Sequence, residues 1–336
     1  MTEIDITQKF LDKVRYLIEQ KDDKDLLVHF KELHHADIAE VFDQLAIDEV
    51  TYIVKLLNSQ KTAEVLMELD QDDREKILEN LNAKEIANEI REMDTDDATD
   101  IISELPDHVM TGVVDNLKGT EMGRHIQELL KYDENSAGGL MAKELIKVNE
   151  NWSVTGCLTE MRAQAENVTR VHSIYVVDND AVLKGRLSLK DLITAPKDSY
   201  INDVYIKKVD YVDVHTPGEE VARIMQKYDL EAIPVVDELK RLVGRITIDD
   251  IVDFITDEAD KDYQLAAGIS EDVAPDDNVG QFIRARLPWL ILGLFGGLAV
   301  VYILQGFEGA LEIHPLLFFF TPLISAMAGN VGVQSS

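Results

Sequence analysis

Carboxylate oxygens are the abundant chemistry of this sequence. The run MDTDDATD sets Asp94, Asp96, Asp97 and Asp100 close together, and a second run holds Asp249, Asp250, Asp253, Asp257, Glu258, Asp260 and Asp262 with Lys261 as its one base. Glu271, Asp272, Asp276 and Asp277 follow. Asp96 and Asp100 are four residues apart, which places them on one helix face, where like charges cost a few tenths of a kcal/mol per pair. A hard divalent cation offsets that repulsion: Mg²⁺ takes oxygen ligands, keeps several waters and needs only one or two carboxylates. Either run alone also reads as a solvated surface, so their placement in the fold must decide.

The balance of 64 acidic against 33 basic residues, a formal charge of −31, excludes nucleic acid as a partner, because a phosphate backbone is bound through clustered Lys and Arg. Cys157 is the only cysteine, which rules out an intrachain disulfide and a thiolate zinc site and fits a reducing compartment. No Walker A loop, GxSxG elbow or HExxH pair is present, so no enzyme is expected. His34 and His35, being adjacent, fall on different helix faces and read as surface residues. The start MTEIDITQKF has no basic segment leading into an apolar one, so the first domain is expected in the cytosol.

Three regions must position these acids. Residues 1–136 alternate apolar and charged positions at helical spacing, and AEVFDQL, AEVLMEL and ANEIREM, ending at Leu45, Leu69 and Met93, repeat one apolar phase, with DATDIISEL ending at Leu105 behind them. Units that cannot bury an apolar face alone must stack, which predicts a compact α-superhelix with Leu45, Leu69 and Leu105 in its core. In the second region, IYVVDNDAVLKGRLSLKDLI from Ile174 aligns without a gap on IPVVDELKRLVGRITIDDIV from Ile233. Both read strand, turn, strand, helix start, giving α/β modules at 137–200 and 201–255. An acidic connecting helix over 256–280 leads to the third region, 281–336. There the charge-free run 287–304 is long enough to cross a bilayer, and Arg284 and Arg286 ahead of it keep residues 1–286 on the cytoplasmic side by the positive-inside rule. A second apolar stretch over 314–329 runs into Gly329, Asn330 and Gly332, which predicts a broken helix.

The paired α/β segments resemble the cystathionine β-synthase (CBS) domain, whose tandem copies form a Bateman unit. That resemblance implies adenine-nucleotide contacts, ATP among them, at the [ST]xxD steps Ser188 with Asp191 and Thr247 with Asp250, although Ser or Thr followed by an acid three residues on is also a plain helix cap. The wider order of helical repeat, AGGLM junction at 137–141, tandem CBS modules, acidic helix, YILQGFE and GNVGVQSS is similar to the MgtE family. The resemblance implies a homodimeric Mg²⁺ channel of the plasma membrane, multi-pass at full length, closed by plug helices when cytosolic Mg²⁺ binds. Carried over by motif, the implied metal ligands are Glu64, Asp96, Asp100, Glu219, Asp229, Asp250, Asp253, Glu258 and Asp262. In that family the ion-selective acid lies on the last of five membrane helices, whereas this sequence ends at Ser336 near the end of the second, so only Asn330 is singled out as pore-lining. The competing expectation is a membrane-anchored CBS regulator that senses adenine nucleotides.

Overall fold

The computed structural model describes residues 7–165, 168, 170–266, 268–269, 279–306 and 315–335. It divides into two compact units that meet in sequence at Val252 and Asp253.

The first unit begins with α1 (Gln8–Gln20), α2 (Asp23–Lys31), α3 (His35–Phe42), α4 (Ile47–Val54), α5 (Ser59–Met67), α6 (Gln71–Glu79), α7 (Ala83–Ile90), α8 (Thr95–Glu104), α9 (Asp107–Leu117) and α10 (Glu121–Leu129). Polar residues between apolar stripes start these helices. The Asn58 side chain accepts from the Lys61 backbone N–H, Asn82 accepts from those of Lys84 and Glu85, and Thr120 accepts from that of Gly123, each satisfying donors that a helix start leaves open. Alternate helices are neighbours, α3 on α5, α5 on α7 and α7 on α9, as a stack of repeated units requires. Leu69 and Leu105 are buried in one continuous core with Phe30, Ile86 and Ile102, while Leu45 is half-buried against it.

The α/β region is one pattern used twice. In the first copy β1 (Ile146–Asn149) is followed by α11 (Val154–Gln164), β2 (Ile174–Val177), β3 (Leu183–Leu187) and the short α12 (Leu189–Thr194). In the second, β4 (Val212–Asp213) leads to α13 (Gly218–Tyr228), β5 (Ala232–Val236), β6 (Leu242–Thr247) and α14 (Ile248–Ala266). Each sheet has a parallel pair joined across a helix and an antiparallel hairpin, and each hairpin slips register at the same aligned position, Val176/Val177 and Val235/Val236. Tyr175, Val177 and Leu242 form an apolar seam between the copies, closed by backbone bonds from Leu183 N–H to Lys240 O (3.0 Å) and from Leu242 N–H to Ala181 O (2.9 Å).

The junction at 137–142 precedes the first copy in sequence but packs on the second. Ala137 N–H donates to Thr216 O (2.7 Å), Gly138 N–H to Val214 O (2.8 Å) and Ala142 N–H to Arg245 O (2.8 Å), and Ala137 and Met141 lie in the core around β5 and β6. Gly244 permits this approach, since a Cβ there would stand 2.6 Å from Met141 Sδ. The crossing carries Lys143 and Glu144 to the helical domain.

In the second unit α15 (Val279–Gln305) contains a 23-residue segment, Ile283–Gln305, whose most apolar 18 residues have mean hydropathy 2.2. At 1.5 Å per residue it is about 35 Å long, enough for a hydrocarbon core of about 30 Å. The helix starts ahead of the expected boundary near 287, because Arg284 and Arg286 are good helix formers and need not be apolar to extend it. A 3₁₀ segment, Pro315–Phe320, precedes α16 (Thr321–Ser335). The expected break at Gly329, Asn330 and Gly332 does not occur, and α16 runs through all three. Each glycine costs a helix only about 1 kcal/mol, which a hydrogen-bonded apolar segment absorbs. Asn330 lies on α16 with its side chain outside the described ones; Glu271, Asp272, Asp276, Asp277 and His314 lie outside the described residues.

The fully buried Ile86 tests the stacked-helix core. Ile86→Ala should lower stability by about 2–5 kcal/mol, the usual cost of a buried aliphatic truncation, read as an earlier loss of helical circular dichroism in urea.

Candidate metal centre

Where the helical domain meets the second α/β copy, the chain gathers negative charge in a place with little water. Asp94 stands at the start of α8 and Asp96 in its first turn, because MDTDDATD switches from loop to helix there. Glu144 arrives from the junction. Its Oε2 accepts from Thr95 N–H (3.1 Å) and from Thr95 Oγ1 (2.8 Å), and that hydroxyl in turn accepts from Lys143 N–H (2.8 Å). Asp94, the nominal cap, makes no side-chain capping bond, so α8 takes its cap from Glu144. The anion is favourable there because the helix start is its positive end.

One oxygen each from Asp94, Asp96 and Glu144 lies within 4.8 Å of the others, the one such carboxylate, His or Cys group among the described residues. Asp96 is 7% exposed, and its Oδ1 is fully buried without a hydrogen-bond partner. Leaving a buried acceptor unsatisfied costs about 1–3 kcal/mol, more when it is charged. Burial, and then Asp97, Asp250, Asp94 and Glu144, push the Asp96 carboxyl well above the usual carboxylate range. Asp97 is pushed up to about 7, by burial first and then by Asp250, Asp94, Asp100 and Glu144. Asp94 is raised by burial and Glu144, against which Arg245 works.

The donor set fits a hard cation. Octahedral oxygens at 2.0–2.1 Å from Mg²⁺ stand about 3–4 Å apart, so oxygens within 4.8 Å need a small contraction or a retained water. Carboxylate-only ligation excludes the soft-metal preferences of thiolate and imidazole sites.

Of the residues singled out in the sequence, Asp96 belongs to this group, and Asp250 bears on it from the first turn of α14. Thr247 holds Asp250 in place through N–H (2.9 Å) and Oγ1 (2.6 Å) donation to Oδ2. Asp100 is on the same helix but exposed; the protein around it and Glu104, which takes a two-point ion pair from Arg74 (2.6 and 3.0 Å), hold its carboxyl above the ordinary range, an effect that its open access to solvent weakens. Glu64 accepts from Gln60 (3.3 Å) and faces His35 Nδ1 (3.6 Å), whose Nε2 meets Glu68 (3.1 Å). His34 is exposed and His35 half-buried, in keeping with surface residues, but they are not independent: their rings lie 3.8 Å apart, tilted at 51°, and His34 caps α3 by accepting from Ala36 N–H at Nδ1 (3.3 Å). Glu219 and Asp229 are exposed at opposite ends of α13, about 15 Å apart along its axis. Asp253, Glu258 and Asp262 lie on α14 beyond the boundary of the first unit, with Glu258 paired to Lys261 (3.2 Å). Ser188 donates to Asp191 Oδ2 (2.6 Å) and caps α12, the same arrangement as Thr247 with Asp250.

Sequence reasoning did not single out Glu144, a lone acid in AKEL, and did not place Asp94 among the candidate ligands, although both belong to this cluster. The available signal was position: Asp94 directly precedes a helix start, and Glu144 closely follows the glycine pair of the junction.

The intracellular N domain of MgtE matches residues 33–135, and the CBS domain matches 137–198 and 201–257. The magnesium transporter MgtE of Bacillus subtilis (strain 168) is 37% identical over 210 residues, 62% of this chain and 47% of that protein. Its counterpart from Thermus thermophilus is 38% identical over 213 residues, 63% and 47%. The chain thus spans about half the length of the curated relatives it matches. A crystal structure of the cytosolic domain of the Mg²⁺ channel MgtE in complex with ATP superposes with a TM-score of 0.68 at 32% identity, covering 73% of this chain and 99% of that one. A crystal structure of the soluble part of a magnesium transporter gives 0.67 at 27% identity, covering 75% and 99%.

An unfolded chain releases aspartate protons near pH 4, whereas folded Asp97 keeps its proton to about 7. The folded state therefore binds more protons across that interval, and the contribution of Asp97 to stability falls as pH rises through it. In chelator, Asp97→Asn should melt at a higher temperature than the parent at pH 7.5, with the gap closing toward pH 4.5.

Proposed function

The chain belongs to the MgtE family of magnesium transporters, and from that premise we propose that it senses cytosolic Mg²⁺ for a Mg²⁺-conducting membrane protein. The observation that carries the reading is the buried, unpartnered Asp96 Oδ1 beside oxygens of Asp94 and Glu144. Those three residues come from the helical domain and from the junction that packs on the second CBS module. Without metal their carboxylates repel, and the arrangement is held at a cost. With Mg²⁺ between them the same oxygens are bridged, and the ion favours the closed-up arrangement over any in which the domains part. Carboxylates on the acidic helix, Asp250 and Asp253 near its start and Glu258 and Asp262 further on, are suited to pass that preference toward the membrane segment. Glu64, Asp100, Glu219 and Asp229 complete the set of acids offered to further weak sites. Several such sites together suit a switch, since moving a population from 1:99 to 99:1 takes about 5.5 kcal/mol of differential binding.

In this reading residues 1–286 are cytoplasmic, α15 begins the membrane domain of a plasma-membrane protein, and the assembly is a homodimer whose connecting helices plug the pore at high Mg²⁺. Asn330 on α16 is the residue offered as pore-lining. An adenine nucleotide is a second ligand, supported by the ATP complex of the similar cytosolic domain. Ser188 and Asp191 are the better place for it, because Asp250 in the matching step of the second module already adds to a crowded negative field that repels phosphate.

Titration of MgCl₂ into the detergent-solubilised chain, with melting followed by fluorescence, tests the sensing step. Ligand binding to the folded state alone adds about 2.7 kcal/mol at a hundredfold excess over Kd. The melting temperature of the parent should climb with Mg²⁺ well beyond the effect of KCl at equal ionic strength, and Asp96→Asn should lose most of that climb. Equal responses to the two salts would refute metal sensing at this centre.

A further inference from the structure

Arg245 is the cation that the acidic centre keeps for itself. Its side chain is 8% exposed; Nε donates to Glu144 O, and Nη2 stands 3.5 Å from Asp94 Oδ2. It thus touches two of the three residues whose oxygens converge there. The internal repeat shows that this placement is particular to one module. Arg186 occupies the same aligned position on β3 of the first CBS module, after the same glycine, yet it is exposed, and its backbone exchanges hydrogen bonds with Ile206 (3.0 and 2.8 Å). Arg245 on β6 exchanges its own backbone bonds with Ala142 (2.8 and 2.9 Å), at the start of the segment that delivers Lys143 and Glu144. The junction therefore turns a surface arginine into a buried one and aims it at the centre.

A guanidinium cannot lose its proton in a protein, so this charge is permanent. Lys143 does not share the role: its ammonium is committed to Glu128 (2.8 Å) and to Val243 O (3.0 Å). We propose that Arg245 is a positioning and threshold-setting residue: it holds Asp94 and the Glu144 backbone in register while metal is absent, and its charge opposes the entering divalent ion, raising the Mg²⁺ concentration at which the centre fills. The proposal rests on the metal reading of the centre. Two consequences of opposite sign follow from one charge. Its removal weakens the metal-free state, because Asp94 loses its counter-ion and the Glu144 carbonyl its donor, and it strengthens metal binding, because a repulsion between cations disappears.

The test uses the full chain in detergent, with the parent, Arg245→Gln, Arg245→Lys, Asp94→Asn and the Arg245→Gln/Asp94→Asn double variant. In chelator, Arg245→Gln should melt below the parent, and the double variant should lose less than the sum of the two single losses. In MgCl₂, Arg245→Gln should reach half of its metal-induced shift at a concentration at least threefold lower than the parent, while Arg245→Lys stays within twofold of it. An unchanged or higher midpoint for Arg245→Gln overturns the proposal, as does a lysine variant that behaves like the glutamine one, which would assign the effect to shape and not to charge. A parent chain that ignores Mg²⁺ overturns the metal reading and with it the threshold, and the chelator series tells that failure apart, because the Asp94–Arg245 coupling is measured without metal.

Discussion

Crowding of carboxylates around a dry position is the constraint on which the arrangement depends. Asp96 is buried with an oxygen that no protein donor reaches, and Asp94, Asp97, Asp250 and Glu144 all raise its carboxyl further. Removing a charge from water is expensive unless a counter-charge or a hydrogen bond compensates. The chain supplies partial compensation: Thr95 for Glu144, Thr247 for Asp250, Arg245 for Asp94. Asp96 Oδ1 is left over, and an oxygen of that kind is what a hydrated divalent ion would engage.

The crowding exists because of one crossing in the topology. Had residues 137–142 stayed with the first CBS module, Glu144 would not meet α8, and the acids of MDTDDATD would be a solvated helix start. Instead the junction lies along β6, Gly244 lets Met141 approach, and Ala142 pairs with Arg245. Backbone pairing thus fixes where three carboxylates converge, and it does so with neutral groups that are indifferent to metal. An ion bound at such a rigidly delivered site would act on whole domains, since packed interfaces switch between discrete arrangements and do not deform smoothly.

Much of the fold was legible because periodicity reports burial. The repeated apolar phase placed Leu69 and Leu105 in a core, and the gap-free alignment anticipated two copies of one strand, turn, strand, helix-start module, which the structure shows down to a shared register slip. Leu45 came out half-buried, and the glycines of α16 did not break it, because local propensity is weak against a continuous hydrogen-bonded segment. The centre was legible only in part. Asp96 and Asp250 stand in dense acidic runs and draw attention; Glu144 is a single acid whose role comes from a contact 49 positions distant in sequence. Arg245 holds the same aligned position after a glycine as Arg186, and what sets it apart is what packs over it, which no local pattern records.

Direct observation of an ion at the convergence of Asp94, Asp96 and Glu144 is the most decisive measurement. Crystals of the chain soaked in Mn²⁺, a hard octahedral stand-in for Mg²⁺ that scatters anomalously, should show an anomalous peak within about 2.0–2.3 Å of at least one of those carboxylates or one water removed from them. A map with peaks only at other surface acids, and none at Asp96, would contradict the account.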